Sequence, residues 1–160
     1  MNFNNFTIKA QEVVQKAVQL TRASDNQAIE PEHLLKALMT EGDAVLRFIF
    51  QKLDINYANV EKALEAALQH LPRVSGGEPY LSNDASKVLE KANDIASKGG
   101  DQYVTVEAIL MALFEVKSTA STILKDAGMT HNELKAAIDE LRKGKSATSQ
   151  SAEEQYNALS

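Results

Sequence analysis

The apolar positions of this chain recur at helical spacing from one end to the other, and the pattern is written twice. Ala10, Val13, Val14, Ala17 and Leu20 stand three or four apart, as on one face of an amphipathic helix. Val88, Leu89, Ala92 and Ile95 repeat them further on. Ile29, Leu34, Leu35 and Leu38 are answered by Val104, Ile109, Leu110 and Leu113 at the same offset, and Phe6-Thr7 by Leu81-Ser82. Past Leu38 the offset shortens by one residue, placing Ile49-Phe50 on Ile123-Leu124, Val60 on Leu134 and Leu64 on Ile138. Nowhere does the pattern alternate as a strand would. The fold class expected is therefore all-α: four helices, duplicated, packing as a pseudo-twofold bundle around one core.

Local signals set the helix ends. Thr7 is a good N-cap for the first helix, and Ser24-Asp25-Asn26 supplies residues that tolerate a left-handed turn after it; the second copy uses Gly99-Gly100 there. Pro31 suits a first helical position, and Ile29 can staple onto Leu34 as Val104 can onto Ile109. Val45, Leu46, Ile49, Phe50 and Leu53 define a third helix; its mate carries Ile123, Leu124 and Ala127 and stops at Gly128. The fourth begins after Asn56 in one copy and after Thr130 in the other, where Thr130 and Glu133 have the spacing of a capping box.

These limits divide the chain into a domain over residues 1–143, with repeat one at 6–71, a Pro/Gly-rich linker at 72–80 and repeat two at 81–142. Residues 144–160 turn to Ser, Thr, Gln and Glu and read as a flexible tether, ending in a Ser151/Glu154 capping box that starts another helix. The expectation is a fragment of something longer.

Composition narrows the functions. A net charge of −5 offers no basic footprint for nucleic acid. No run reaches the roughly 18 apolar residues of a membrane span, and no signal peptide opens the chain, so a soluble cytoplasmic protein is expected. Cysteine is absent, which removes disulfides, thiolate metal sites and a cysteine nucleophile. Gly144-Lys145-Ser146 lacks the upstream glycine of a phosphate loop, since Asp139 stands there; Glu32-His33 is followed by Lys36 and Ala37, not by the second histidine of HExxH; no serine is framed as Gly-x-Ser-x-Gly. No catalytic constellation or metal site emerges. Charged runs such as Glu61-Lys62, and Asp139-Glu140 with Arg142-Lys143, read as solvated faces.

The duplication, with Phe6-Thr7 opening one helix, residues 26–35 (NQAIEPEHLL) opening the next and residues 71–76 (LPRVSG) between the copies, resembles the Clp N-terminal repeat domain of the Hsp100/Clp family. The wording of residues 149–156 (SQSAEEQY) is similar to the linker of its ClpB-type disaggregases. The resemblance implies a parent that is a homohexameric AAA+ ATPase working with the Hsp70 system on aggregated protein, with ATP and Mg held in modules outside this chain. The chain itself would be a monomeric, cofactor-free domain that captures unfolded or aggregated polypeptide and hands it to the pore; the alternative is docking of a folded adaptor, as in ClpC- or ClpA-type unfoldases.

The resemblance further implies substrate handling by Thr7, Asp101 and Glu107, and an apolar groove drawing on Val88, Leu89, Ile95, Tyr103, Ala108 and Ile109. Lys91 and Ala108 stand where some relatives carry larger apolar groups, which leaves the depth of the groove open. Simpler roles compete: Thr7 is an N-cap, Glu107 an acid favoured by a helix dipole, and Val88, Leu89 and Ile109 fit a core stripe.

Overall fold

A computed structural model describes residues 2–74, 76–156 and 159. In each copy the apolar stripes form four helices: α1 (Ile8–Ala23), α2 (Pro31–Glu41), α3 (Asp43–Lys52) and α4 (Tyr57–Gln69), then α5 (Asn83–Lys98), α6 (Val106–Glu115), α7 (Thr119–Asp126) and α8 (His131–Arg142). The all-α, duplicated architecture is the expected one. Thr7 and its equivalent Ser82 cap α1 and α5, accepting from the N–H of Ala10 and Ala85 at 3.0 Å each. Asp25 and Gly100 fill the same left-handed position after those helices, and Asp54 and Gly128 the same position after α3 and α7. An aspartate can do there what glycine does, because its short polar side chain tolerates the left-handed region.

The two copies are joined by exchange. Between α1 and α2 lies β1 (Ala28–Ile29) and before α5 lies β2 (Tyr80–Leu81); they pair in parallel, with Ile29 beside Leu81. Phe6 bridges to Val104 in the same sense. The sequence reading expected no strands, since two-residue pairings carry no period. Helix packing obeys the same exchange: α1 lies on α2 and α5 on α6 within the copies, while α3 meets α8 and α4 meets α7 between them. At the junction, a Cβ on Gly42 would come within 2.7 Å of Val106 Cγ1, so the α2–α3 corner sits tight against α6. Phe6, Leu34, Leu35, Phe50, Leu89, Ile109, Leu110 and Leu113 are among the fully buried side chains of a core common to both copies.

Three local expectations are corrected. Thr130 accepts from the Glu133 N–H (3.4 Å), but its hydroxyl donates to Glu133 Oε1 (2.8 Å), so the return half of the box is not made. Ser151 forms no side-chain cap, and the segment after it, Ala152–Gln155, is a 3-10 turn. The onward helix expected there falls on residues 157, 158 and 160, outside the described residues. Finally, the stretch read as a free tether lies against the body. Ala147 accepts from the N–H of Gln102 (2.9 Å) and Tyr103 (3.2 Å), Gln150 accepts from the Ile8 N–H (2.8 Å), and Ala147, Ala152 and Tyr156 are buried.

Candidate functional site

The three polar residues named from the resemblance fall in one region, with Thr7 and Glu107 buried and Asp101 half-buried. Thr7 and Glu107 have no exposed surface; only 5% of the Asp101 side chain is exposed. Each is placed by a helix end: Thr7 caps α1, Glu107 lies in the first turn of α6, and Asp101 follows the Gly99-Gly100 stop of α5. What gathers them is Arg142, in the last turn of α8. Its Nε donates to Glu107 Oε2 (2.7 Å), Nη1 to Asp101 Oδ2 (2.7 Å) and Nη2 to Thr105 Oγ1 (3.0 Å). Reading Arg142 as part of a solvated face is thus corrected. Its equivalent in the first copy is Leu68, an apolar position, which is the signal that this arginine turns inward.

The tail completes the cluster. The Tyr156 hydroxyl donates to the same Glu107 Oε2 that receives Arg142. Glu153 Oε2 accepts from the Thr7 hydroxyl (2.7 Å) and the Val106 N–H (2.9 Å), and Asp101 Oδ1 accepts from the Ala147 N–H (2.9 Å). Neither Glu107 Oε1 nor Glu153 Oε1, both buried, has a hydrogen-bond partner. Burial pushes the Glu153 carboxyl above the usual range, and the nearby Glu107 pushes it further, against the lowering bonds from Thr7 and Val106. Burial is the largest single influence on Arg142 and works against its charge, but Glu107, Tyr156 and Asp101 together outweigh it and keep the guanidinium ionised. Tyr156 is raised by burial first and then by Glu107, so its hydroxyl stays a donor.

Beside this cluster, between α5, α6 and α8, opens a groove of about 530 Å³. Ile95, Ala108, Met111 and Ile138 make its apolar wall, Asp101, Glu107 and Arg142 its polar wall, and Lys91, Lys98 and Lys135 with Asp94, Glu115 and Asp139 its rim. Of the apolar residues named from the resemblance, Ile95 and Ala108 line it. Val88, Leu89 and Ile109 do not: each has no exposed surface and belongs to the core stripe. Tyr103 is half-buried and outside the groove lining, its N–H held by the tail. Met111 and Ile138 were missed, because on a helix they are indistinguishable by period from core positions.

The first copy shows why the groove is one-sided. The place of Ala108 is taken by His33, fully inside the protein, whose Nδ1 accepts from the Glu30 N–H (2.9 Å) while Nε2 donates to Asn26 Oδ1 (2.9 Å). Asn26 stands where Asp101 stands in the second copy. A neutral histidine there fills what alanine leaves open; burial lowers its pKa to about 4.

Among the described residues no cluster of histidine, aspartate and glutamate could hold a metal ion, and no helix is long and apolar enough to cross a membrane.

Residues 5–127 match the Clp repeat (R) N-terminal domain family. The chain is 55% identical to the chaperone protein ClpB of Bacteroides thetaiotaomicron and 52% identical to that of Porphyromonas gingivalis, in each case over 99% of this chain and 18% of the relative. It thus spans under a fifth of the length of these curated relatives. The fold superimposes on the Hsp104 N-terminal domain of Candida albicans with a TM-score of 0.81 and 27% identity, covering 94% of this chain and 99% of that one. It also matches the N-terminal domain of the ClpV1 ATPase of Escherichia coli at a TM-score of 0.71 and 20% identity, over 84% and 83%, a likeness of fold alone. Because the family match over residues 5–127 takes in more than half of the chain and reaches into both copies, the chain belongs to the Clp repeat N-terminal domain family, of the Hsp100/Clp type.

Proposed function

We propose that this domain captures unfolded or aggregated polypeptide in the groove between α5, α6 and α8 and presents it to the AAA+ modules of a ClpB-type disaggregase. The observation that carries the reading is the groove itself. An apolar strip of Ile95, Ala108, Met111 and Ile138, rimmed by charges of both signs, suits a chain that offers apolar side chains and an unpaired backbone in no fixed sequence. Asp101 and Glu107 hold Arg142 in the polar wall of the groove, and Thr7, outside the lining, holds Glu153 of the tail against the body. ATP hydrolysis, hexamer formation and cooperation with the Hsp70 system belong to the longer parent protein in this reading.

The test is Ile138→Glu, on a half-buried groove residue at the margin of the core. Binding of a permanently unfolded protein, reduced carboxymethylated α-lactalbumin, should fall at least about tenfold, the cost of roughly 1.4 kcal/mol of lost contact, when measured at a temperature where the variant is fully folded. In the full-length parent the same change should slow recovery of aggregated substrate without lowering basal ATPase. Unchanged binding by a folded Ile138→Glu variant would remove the groove from the account.

A further inference from the structure

One carboxylate is shared between the groove and the tail. Glu107 lines the groove, and its Oε2 takes both the Arg142 guanidinium from the groove wall and the Tyr156 hydroxyl from the tail. We infer that filling the groove and seating the tail over residues 147–156 are mutually exclusive in part: each weakens the other through Glu107 and Arg142. The inference rests on the groove reading above and adds its regulation.

The competition is one of hydrogen-bond partners. A polypeptide laid along Ile95, Met111 and Ile138 brings backbone N–H and C=O groups out of water, and each needs a partner. The polar wall offers two: the Arg142 guanidinium for a carbonyl and, once the wall opens, the buried and unpartnered Glu107 Oε1 for an N–H. Either contact turns charge toward the groove and away from Tyr156. Tyr156 is 2% exposed, and a buried hydroxyl without its acceptor is costly, so the 3-10 turn Ala152–Gln155 that carries it into the body loses its anchor. Glu153 lies on that same turn and takes the Thr7 hydroxyl and the Val106 N–H. Releasing the turn therefore frees the Thr7 hydroxyl from Glu153 as well. The tail meets the body again at Ala147, through Asp101 Oδ1. In the first copy Glu107 and Arg142 are replaced by Glu32 and Leu68, so the device is built once.

Two measurements on the 160-residue chain test this with reduced carboxymethylated α-lactalbumin as probe. Hydrogen exchange reads the tail through amides that the seated tail occupies, those of Tyr103, Val106 and Ala147. Saturating probe should accelerate them while amides in α2 and α3 keep their protection. Conversely Tyr156→Phe, which keeps the ring and removes the bond to Glu107, should tighten probe binding by about fivefold, the same coupling seen from the other side. Because the coupling must be equal in both directions, failure of either arm overturns the proposal, and the exchange arm needs no variant. If the probe shifts Ile95, Met111 and Ile138 while tail exchange stays unchanged, the coupling is wrong and the groove reading stands. If the probe shifts none of these residues in either protein, the groove reading fails and takes the coupling with it.

Discussion

Phe6 of the first copy forms a parallel bridge with Val104 of the second. The residues in their places, Leu81 and Ile29, form the same bridge in the other direction. The matching hydrogen bonds agree closely: the Thr7 N–H donates to the Val104 carbonyl at 2.9 Å and the Ser82 N–H to the Ile29 carbonyl at 3.0 Å. Each copy thus delivers the start of its first helix into the other, and neither can close its core alone.

That exchange predicts a single cooperative unfolding transition for both copies. Phe6→Ala removes a fully buried aromatic ring at the exchange point and should cost about 3–5 kcal/mol. Denaturant unfolding followed by probes placed in each copy should move together; separate midpoints for the two copies would contradict the shared core.

A second prediction uses the duplication as its own control. Glu32 and Glu107 occupy the same position, and sequence alone gives both the same dipole role. The structure separates them, since Glu107 is bonded to Arg142 and Tyr156, whereas burial pushes Glu32 above the usual carboxylate range. Glu107→Ala should therefore cost about 3 kcal/mol, the low end for breaking a buried pair because Asp101 remains on Arg142. Glu32→Ala should cost under about 1 kcal/mol. Equal losses in chemical denaturation would show that the cluster adds nothing to the helix-end effect.

His33 supplies a pH prediction. Its folded pKa of about 4 lies below its ordinary value, so the unfolded chain takes up a proton first as pH falls. Its contribution is complete above about pH 6.5, declines through the interval down to about pH 4 and is gone below it. Glu32 and Glu153, raised by burial, act oppositely: their stabilising share is present in acid and lost as pH rises. The His33 part is isolated by difference. Wild type should lose about 3 kcal/mol more between pH 7 and pH 4 than His33→Gln does. Parallel stability curves would mean that His33 is not held neutral by burial.

The helices and their duplication were readable because caps, staples and apolar periods are local properties. Thr7, Ser82 and Pro31 act where their chemistry places them. The bridges of Phe6 and Ile29 were not readable, since a two-residue strand has no period and its partner lies in the other copy. Arg142 was hidden by its neighbours: next to Asp139, Glu140 and Lys143 it looks solvated, and only comparison with Leu68 marks it as inward-facing. Glu153 and Tyr156 were hidden by composition, because a Ser- and Gln-rich run reads as tether until Ala147 and Tyr156 are seen inside the protein. Val88, Leu89 and Ile109 show the converse. Their apolar character was correctly read, but a periodic stripe alone does not tell a core from a binding groove.

The central claim is that non-native polypeptide binds in the second-copy groove, and amide and methyl chemical shifts of the labelled chain test it most directly. Reduced carboxymethylated α-lactalbumin should shift Ile95, Ala108, Met111 and Ile138, with little change at their first-copy counterparts Leu20, His33, Lys36 and Leu64. A folded adaptor protein titrated alongside should leave the four groove residues unmoved. Shifts confined to the first copy, or seen in the groove only with the folded adaptor, would contradict the account.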